Sequence, residues 1–261
     1  MLDSNKCRLC GHQSKYLYTG KLIGHPIKYY DCDDCGYVQT EDPFWLNEAY
    51  EESINDTDTG ILRRNLINNR VIISLLFFFF NTKNIVLDYA GGYGILVRLL
   101  RDSGINAFWS DKFSENLVSR GFELKKDMKV DLVTAFEAFE HFEKPSEEFK
   151  RIFDLSDNLF ISTCIIDDNP PEPGTWWYFG EEHGQHIGFF RKKTLIYISK
   201  KYGKKVVSFR GNYHLFSDSF SSNILWAMLI VGSRIFSPVI SLFLKSKILD
   251  DHTLFSKETR N

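Results

Sequence analysis

The sequence predicts an α/β protein whose doubly wound parallel sheet follows a small metal-binding ribbon and precedes a helical tail. Two cysteine pairs lie near the N-terminus, strand-like and helix-like stretches alternate further on, and a long apolar segment comes last. Strands that alternate with helices at this pitch predict a parallel sheet with helices on both faces. We expect the ribbon at residues 1–40, a helical linker or lid at 41–80, the sheet domain at 81–220 and a helical extension at 221–261.

The composition is that of an ordinary globular protein. The chain has 261 residues, a net charge of -2, 43% hydrophobic and 25% charged residues. This charge balance argues against a generic nucleic-acid binder, which needs a basic excess. The N-terminus has no apolar run of the kind found in signal peptides. We therefore expect a cytoplasmic protein, and the sequence predicts no particular oligomeric state.

The two cysteine pairs predict the ribbon. Each pair is spaced by two residues and is followed by a glycine, at Gly11 and Gly36, which lets the backbone turn beneath a metal ion. Two such pairs can complete a tetrahedral thiolate site, so the sequence predicts structural zinc. Disulfides in a secreted domain and a redox pair are the alternatives. The predicted zinc ligands are Cys7, Cys10, Cys32 and Cys35.

A glycine-rich turn predicts a nucleotide-type site. A strand-like run ends at Asp88 and turns through Gly92 and Gly94 into a helix-like stretch. Glycines allow close approach of a ligand, and a helix N-terminus adds partial positive charge. Asp111 ends the next strand-like run, where a carboxylate can accept hydrogen bonds from a ribose. The dinucleotide pattern is not met, because Val97 stands where its third glycine would lie.

The other elements follow from hydrophobic patterning. The second cysteine pair is preceded by alternating aromatic and aliphatic residues, which predict short strands. A further helix-like stretch separates Asp111 from Val130. We predict the remaining helices at 44–54, 61–80 and 147–153, and the remaining strands at 130–136 and 158–165.

The glycine turn and the next strands resemble those of class I S-adenosylmethionine-dependent methyltransferases. Their first motif is an acid followed by Gly-x-Gly-x-Gly, which residues 86–94 match with Ala90 in place of the first glycine. Asp111 matches the acid that binds the ribose, and residues 137–141 match a Glu-x-x-Glu-His ending. The resemblance, over roughly residues 81–200, implies a Rossmann-like fold and a methyltransferase. It implies cofactor contacts from Asp88, Ala90, Gly92, Gly94, Asp111 and Glu137, with Tyr50 closing on the methionine part.

The arrangement of modules has a closer resemblance. A four-cysteine module before such a domain is similar to the C-methyltransferases of deoxysugar biosynthesis and to methyltransferases of surface-polysaccharide synthesis. Residues 176–190 resemble their loop containing Glu-His. This implies an acceptor that is a saccharide, a nucleotide sugar or a phosphorylated precursor. The chain ends before the large C-terminal domain of the C-methyltransferases, so we favour O- or N-methylation over C-methylation of a deoxy-ketosugar.

A histidine-rich loop is the candidate catalytic segment. A histidine beside a carboxylate can act as general base near neutral pH. We predict His183 as the base, Glu182 as its orienting partner and His186 as a second polar contact. The alternatives are an ordinary loop and a metal site of the two histidines, for which the sequence shows no obvious third ligand. The pair Glu140–His141 lies either near the cofactor or in a plain loop.

Two further functions compete with methyl transfer. One is a nicotinamide-dependent oxidoreductase, which the glycine spacing disfavours. The other is a non-catalytic scaffold in which the zinc ribbon binds a partner.

The apolar tail, residues 224–244, is interrupted by Arg234 and Pro238. We therefore predict a helix that packs on the protein or on a partner subunit rather than a membrane span. Peripheral contact with a membrane would suit an enzyme of surface-glycan assembly.

Overall fold

The structure, a computed structural model, describes residues 6–50 and 58–258, with side chains as far as residue 256. The chain divides into two compact units. The first unit comprises Met1–Asn55 and Ala135–Ser221, and the second comprises Asp56–Thr134 and Ser222–Asn261. This division places the cysteine pairs in one unit with the loop that contains the histidines. The domain boundaries predicted from the sequence stay a prediction.

The described residues form two sheets and seven helices. The strands are β1 (Lys15–Leu22), β2 (His25–Asp31), β3 (Val38–Thr40), β4 (Ile85–Tyr89), β5 (Asn106–Ser110), β6 (Leu132–Phe136), β7 (Leu159–Ser162), β8 (Ile165–Ile166), β9 (Gly188–Arg191), β10 (Lys205–Phe209) and β11 (Tyr213–Ser217). The helices are α1 (Leu46–Ala49), α2 (Ile61–Phe79), α3 (Ile95–Asp102), α4 (Pro145–Leu155), α5 (Lys192–Lys201), α6 (Asn223–Ser241) and α7 (Ile248–Glu258).

The smaller sheet lies in the first unit, and its strand order is β1-β2-β3-β9-β8. Strand β3 pairs with β9, where Val38 lies opposite Phe189. The segment that carries the cysteines therefore shares a sheet with residues 188–191. A buried cluster that includes Tyr29, Trp45 and Phe179 packs against this sheet. A sequence pattern could not show this pairing, because β3 and β9 lie far apart along the chain.

The larger sheet has the strand order β10-β11-β7-β6-β4-β5. Strand β4 runs parallel to β5 and β6. The prediction of a mixed α/β, Rossmann-like fold is confirmed. The sheet also has an antiparallel part that the sequence pattern did not predict, because β11 is antiparallel to both β10 and β7. The short connection from Phe209 to Tyr213 forms a hairpin, and a hairpin joins only antiparallel strands.

Two helix predictions need correction. Residues 112–131 form turns and bends instead of the helix expected before Val130. Side chains replace helical hydrogen bonds there: Asn116 Oδ1 accepts the Ser119 N–H at 2.9 Å, and Asp111 binds the Ser114 N–H. The helix predicted at 44–54 is only the single turn α1, and residues 51–57 lie outside the described chain. The helix predicted at 61–80 is confirmed as α2.

The predicted helical tail is also confirmed. Helix α6 begins at the cap Ser222, whose hydroxyl accepts the Leu225 N–H, and runs through Pro238. It packs on α2, where the rings of Phe78 and Phe236 lie 5.2 Å apart. Among the described residues, α6 is the one helix that is long and apolar enough to cross a membrane. Of its most apolar 18-residue stretch, 33% is buried inside the protein.

Candidate active site and cysteine cluster

Residues 89–94, between β4 and α3, form the glycine-rich turn of the expected methyl-donor site, and we call them the donor turn. Several of these residues have left-handed backbone angles. Ala90, Gly92 and Gly94 adopt φ values of 56°, 53° and 83°. Glycine enters this left-handed region freely, whereas alanine does so at a steric cost. Gly94 caps α3, so the turn ends at a helix N-terminus. The sequence thus places glycine at two of these three positions, and Ala90 is the strained one.

Gly91, which the sequence pattern alone does not single out, has no room for a side chain. A Cβ atom there would lie 2.8 Å from Asp88 Oδ2 and 2.9 Å from Trp109 Cδ1. Neither neighbour moves easily, because the Trp109 indole N–H donates to the Gly92 carbonyl at 2.9 Å. The dense glycine run was the available signal, although the pattern alone could not show which glycine is sterically required.

Asp88 lies beneath the donor turn and is buried. The Thr134 hydroxyl donates to its Oδ1 at 2.9 Å. The pKa of Asp88 is raised to about 7, chiefly by burial; the Thr134 hydrogen bond opposes this rise, and the nearby charge of Asp111 adds to it. Its carboxyl is therefore held close to the turn in a site that resists ionisation.

Asp111 is joined directly to the donor turn. Its Oδ2 accepts the Gly92 N–H at 2.9 Å, and its Oδ1 accepts the N–H groups of Phe113 and Ser114 at 2.7 and 2.9 Å. The structure therefore brings together the turn and the acid that the sequence assigned to one site. Each carboxylate oxygen has two acceptor positions, which leaves Oδ2 with capacity for a ligand hydroxyl. The contact with a ribose stays a prediction.

Glu137 and Tyr50, the other two predicted cofactor residues, lie in the first unit. Glu137 follows β6 with a φ of 48°, and its Oε1 accepts the Ser162 hydroxyl at 2.5 Å. The hydroxyl of Tyr50 lies 3.0 Å from Nδ1 of His141. Their roles toward a cofactor stay predictions.

A second group of residues converges in the first unit. We call Glu140, His141, Tyr178, His183 and His186 the histidine cluster. The rings of His141 and His186 lie 4.8 Å apart, and those of His183 and His186 lie 4.9 Å apart. The histidine loop and the Glu-x-x-Glu-His ending of β6, about 40 residues apart in the chain, thus form one site.

Tyr178 connects two members of the histidine cluster. Its hydroxyl donates to Glu140 Oε1 at 2.6 Å, and its carbonyl oxygen accepts from His186 Nδ1 at 2.6 Å. A carbonyl can only accept, so His186 carries its hydrogen on Nδ1 and presents a lone pair at Nε2. The sequence did not predict this role of Tyr178. Its only indication was an aromatic residue within a histidine-rich loop, which is a weak signal.

Burial controls the charges of the histidine cluster. Together with the charge of Glu137, which contributes less, burial raises the pKa of Glu140 to about 8. It lowers the pKa of His186 to about 3 and that of His141 well below its usual value. The imidazoles are therefore neutral and can offer lone pairs at neutral pH.

His183, the predicted base, is partly buried. Burial lowers its pKa, and the charge of the exposed Glu182 acts in the opposite direction. Its Nδ1 accepts the Gln185 N–H at 3.1 Å, so its neutral form carries the hydrogen on Nε2. Proton uptake at Nδ1 would therefore require the Gln185 amide to move away. The ring also lies against Gly180, where a Cβ would come within 2.4 Å of Nε2.

The cysteine cluster, comprising Cys7, Cys10, Cys32 and Cys35, meets the geometry of a metal site. The four sulfurs lie within 4.8 Å of one another. The Sγ atoms of Cys7 and Cys35 are 3.5 Å apart, and those of Cys10 and Cys32 are 3.4 Å apart. Zinc with four sulfurs at about 2.3 Å would separate them by about 3.8 Å. All four are free cysteines, so the donor set fits zinc, and four thiolates would leave no open position for a substrate.

The predicted glycines support each cysteine turn. Gly11 and Gly36 have φ values of 81° and 74°. Their N–H groups donate to the carbonyls of Cys7 and Cys32 at 2.8 Å each. The two turns therefore repeat one local geometry, as the matched spacing predicts.

Several solved structures are similar to the chain. Magnesium protoporphyrin IX methyltransferase (ChlM) from Synechocystis PCC 6803 with bound SAM has 15% identity and a TM-score of 0.43, covering 67% of this chain and 90% of that one. Human N-acetylserotonin methyltransferase in complex with SAM has 14% identity and a TM-score of 0.43, with coverages of 67% and 66%. The plantazolicin methyltransferase BpumL in complex with SAH has 11% identity and a TM-score of 0.48, with coverages of 78% and 87%.

No curated protein matches the chain. A family model described as a methyltransferase domain matches residues 63–208, which is more than half of the chain. The match includes the donor turn, Asp111 and the histidine cluster. The chain therefore belongs to the methyltransferase domain family, and this match identifies it as a methyltransferase.

Proposed function

We propose that the protein methylates an oxygen or nitrogen of a small acceptor, a saccharide, nucleotide sugar or phosphorylated precursor of surface-glycan synthesis. The donor turn and Asp111 in the second unit would hold S-adenosylmethionine, which supplies an electrophilic methyl group. The histidine cluster in the first unit would hold the acceptor. The observation that carries the proposal is the convergence of Glu140, His141 and His186. They lie beside four consecutive aromatic residues, 176–179, which we call the aromatic loop.

The aromatic loop supports a sugar-like acceptor. Trp177 is 76% exposed, although tryptophan is normally well buried, and its ring lies 5.3 Å from that of Tyr178 in the histidine cluster. An exposed indole offers a flat apolar surface on which a sugar ring can stack, with hydroxyl groups left for polar neighbours. Replacing Trp177 by alanine should raise the KM for the acceptor and leave donor affinity unchanged.

The histidine cluster supplies the groups that methyl transfer needs. The attacking oxygen or nitrogen must lose a proton as its bond to the methyl carbon forms. We propose His183 as the group that takes this proton at Nδ1, after the Gln185 amide has moved away from that atom. Glu182 would then stabilise the resulting imidazolium by its charge. His186, which is held by the Tyr178 carbonyl, would orient the acceptor through Nε2. His183→Ala should then lower kcat strongly while S-adenosylhomocysteine affinity is retained.

The cysteine cluster would have a structural role. We propose that it binds zinc, because four buried or half-buried sulfurs converge with tetrahedral spacing. Metal binding to such a site contributes directly to folding.

Helix α6 supports contact with a membrane surface. Ile224, Met228, Val231 and Ile235, which are spaced by three or four residues, are each more than 60% exposed. We propose that the enzyme is cytoplasmic and touches the membrane peripherally through this face, where glycan precursors are assembled. Fractionation should place it in the soluble and salt-washable membrane fractions, and pelleting that resists carbonate would indicate a span instead.

A methyl-transfer screen tests the proposed function. Nucleotide sugars, phosphorylated sugars and amino sugars would be incubated with S-adenosylmethionine, and products would be detected by mass spectrometry. A methylated saccharide with an O–CH3 or N–CH3 signal by NMR supports the proposal. A C–CH3 signal from a ketosugar would favour C-methylation. Donor binding without turnover on any acceptor would favour the non-catalytic scaffold. The pairing of β3 with β9, which joins the cysteine segment to the histidine-rich loop in one sheet, would be its structural basis.

A further inference from the structure

We propose that Glu140, His141 and His186 bind a divalent first-row transition-metal ion, distinct from the zinc of the cysteine cluster. One ligand atom from each residue lies within 4.8 Å of those from the other two. Ligands at about 2.1 Å from one ion are at most about 4.2 Å apart. Side-chain adjustments of less than an ångström would therefore close the site around an ion.

An unsatisfied carboxylate oxygen points to a missing ligand. Glu140 is fully buried, and its Oε2 has no hydrogen-bond partner among the residues that the structure describes. Its other oxygen is occupied by the Tyr178 hydroxyl. A buried polar atom without a partner is costly, and buried carboxylates are normally paired or coordinate a metal. A cation at Oε2 would remove this cost.

The second observation is the support of the ligands by their neighbours. Metal-binding histidines usually donate their other ring N–H to a carbonyl or carboxylate, and ligating carboxylates are themselves hydrogen-bonded. His186 donates Nδ1–H to the Tyr178 carbonyl, which leaves Nε2 for a metal, so His186 would orient the acceptor through the ion and not by a direct contact. Tyr178 therefore orients two of the three ligands, one through its hydroxyl and one through its backbone.

The donor set indicates the kind of ion. Two imidazoles and one carboxylate form the set found at open sites for iron(II) and zinc, with positions left for other ligands. Such a site differs from the closed thiolate site of the cysteine cluster. The two could therefore hold different metals in one chain, because thiolates select zinc strongly.

The ion would bind and activate the acceptor, a role that rests on the proposed function. A cation with open positions can bind one or two adjacent hydroxyls of a saccharide and lower their pKa. The bound hydroxyl would lose its proton to solvent or His183. Its oxygen would form the new O–CH3 bond as the S–CH3 bond breaks, and the bonding pair would stay on sulfur to give S-adenosylhomocysteine. The metal would thus select vicinal diols as acceptors.

Manganese(II) is a suitable probe for zinc-loaded full-length protein. Electron paramagnetic resonance of free Mn²⁺ should show one ion bound per chain, and electron spin echo modulation should show nitrogen couplings from imidazole. Glu140→Gln and His186→Ala should weaken Mn²⁺ binding at least about 10-fold. Tyr178→Phe should weaken it by about 10-fold or more, because the Tyr178 hydroxyl orients the ligand Glu140. His183→Ala is the matched control within the cluster and should retain bound Mn²⁺.

The outcomes separate the metal site from the proposed function. Wild-type protein that binds no Mn²⁺ at millimolar concentration, or binds it without nitrogen coupling, overturns the metal site. This test uses the wild-type protein alone, so it does not depend on whether a variant folds. Calorimetry with S-adenosylhomocysteine is run on the same sample. Donor binding without Mn²⁺ binding leaves the proposed function standing alone. Mn²⁺ binding without donor binding supports the metal site and contradicts the proposed function.

Discussion

Replacing Gly91 by alanine tests whether the donor turn forms the cofactor site. The added Cβ would lie 2.8 Å from Asp88 Oδ2, 2.9 Å from Trp109 Cδ1 and 3.1 Å from the Asp88 carbonyl oxygen. The two side chains are anchored by Thr134 and by the Gly92 carbonyl, so the backbone of the turn must move. Overpacking of this kind costs about 1–3 kcal/mol, which corresponds to about 5- to 150-fold weaker donor binding.

Calorimetric titration with S-adenosylhomocysteine measures this loss directly. Gly60→Ala is the matched control, because Gly60 lies in the same unit with an ordinary φ of -90° and its Cβ would meet only the mobile end of Arg64 closely. The control should bind as the wild type does. Wild-type affinity in a folded Gly91→Ala variant would refute the assignment of the donor site to this turn.

Three further predictions concern the two acids and the cysteines. Asp111→Asn should weaken S-adenosylhomocysteine binding about 10-fold or more in calorimetry, because hydrogen bonds to a charged group contribute about 1.5–3 kcal/mol. The pKa of Asp88 is raised to about 7, so the folded state holds its proton more tightly than the unfolded state. Its contribution to stability is present at low pH and is lost, by up to about 4 kcal/mol, as pH rises from about 4 to 7. Asp88→Asn should remove that slope from urea melts of the ligand-free protein, whereas Asp154→Asn at an exposed site should keep it. Cys35→Ser should abolish the zinc content measured by mass spectrometry and lower the Tm, whereas Cys164→Ser should leave one zinc per chain.

Each of these has a contradicting result. Unchanged donor affinity in Asp111→Asn would remove that carboxylate from the ribose site. An equal pH slope in Asp88→Asn and wild-type protein would mean that the buried carboxyl does not control it. Full zinc content in Cys35→Ser would show that the cysteine cluster is not the zinc site.

The sequence was sufficient where the signal is local. Residues 84–102 were predicted as strand, turn and helix, and the structure has them so, because an apolar run, glycines and an amphipathic stretch each act within a few residues. The pairing of Asp111 with the donor turn also followed from a rule, since adjacent parallel strands end at one edge. The two cysteine turns were predicted in the same way, because the spacing of each pair and its following glycine are local features.

Other features depend on contacts between distant segments. The pairing of β3 with β9 depends on register across some 150 residues, and no local pattern encodes it. Glu140 and His186 were both noted, but their convergence through Tyr178 required the fold. The stretch 112–131 was misjudged because short polar side chains there bind the backbone in place of a helix.

The most direct measurement is a crystal structure of the protein with S-adenosylhomocysteine. The account predicts the adenosine above the donor turn, with ribose hydroxyls within about 2.5–3.0 Å of the Asp111 carboxylate. A ligand bound elsewhere, or a donor turn whose space is filled by protein side chains, would contradict it.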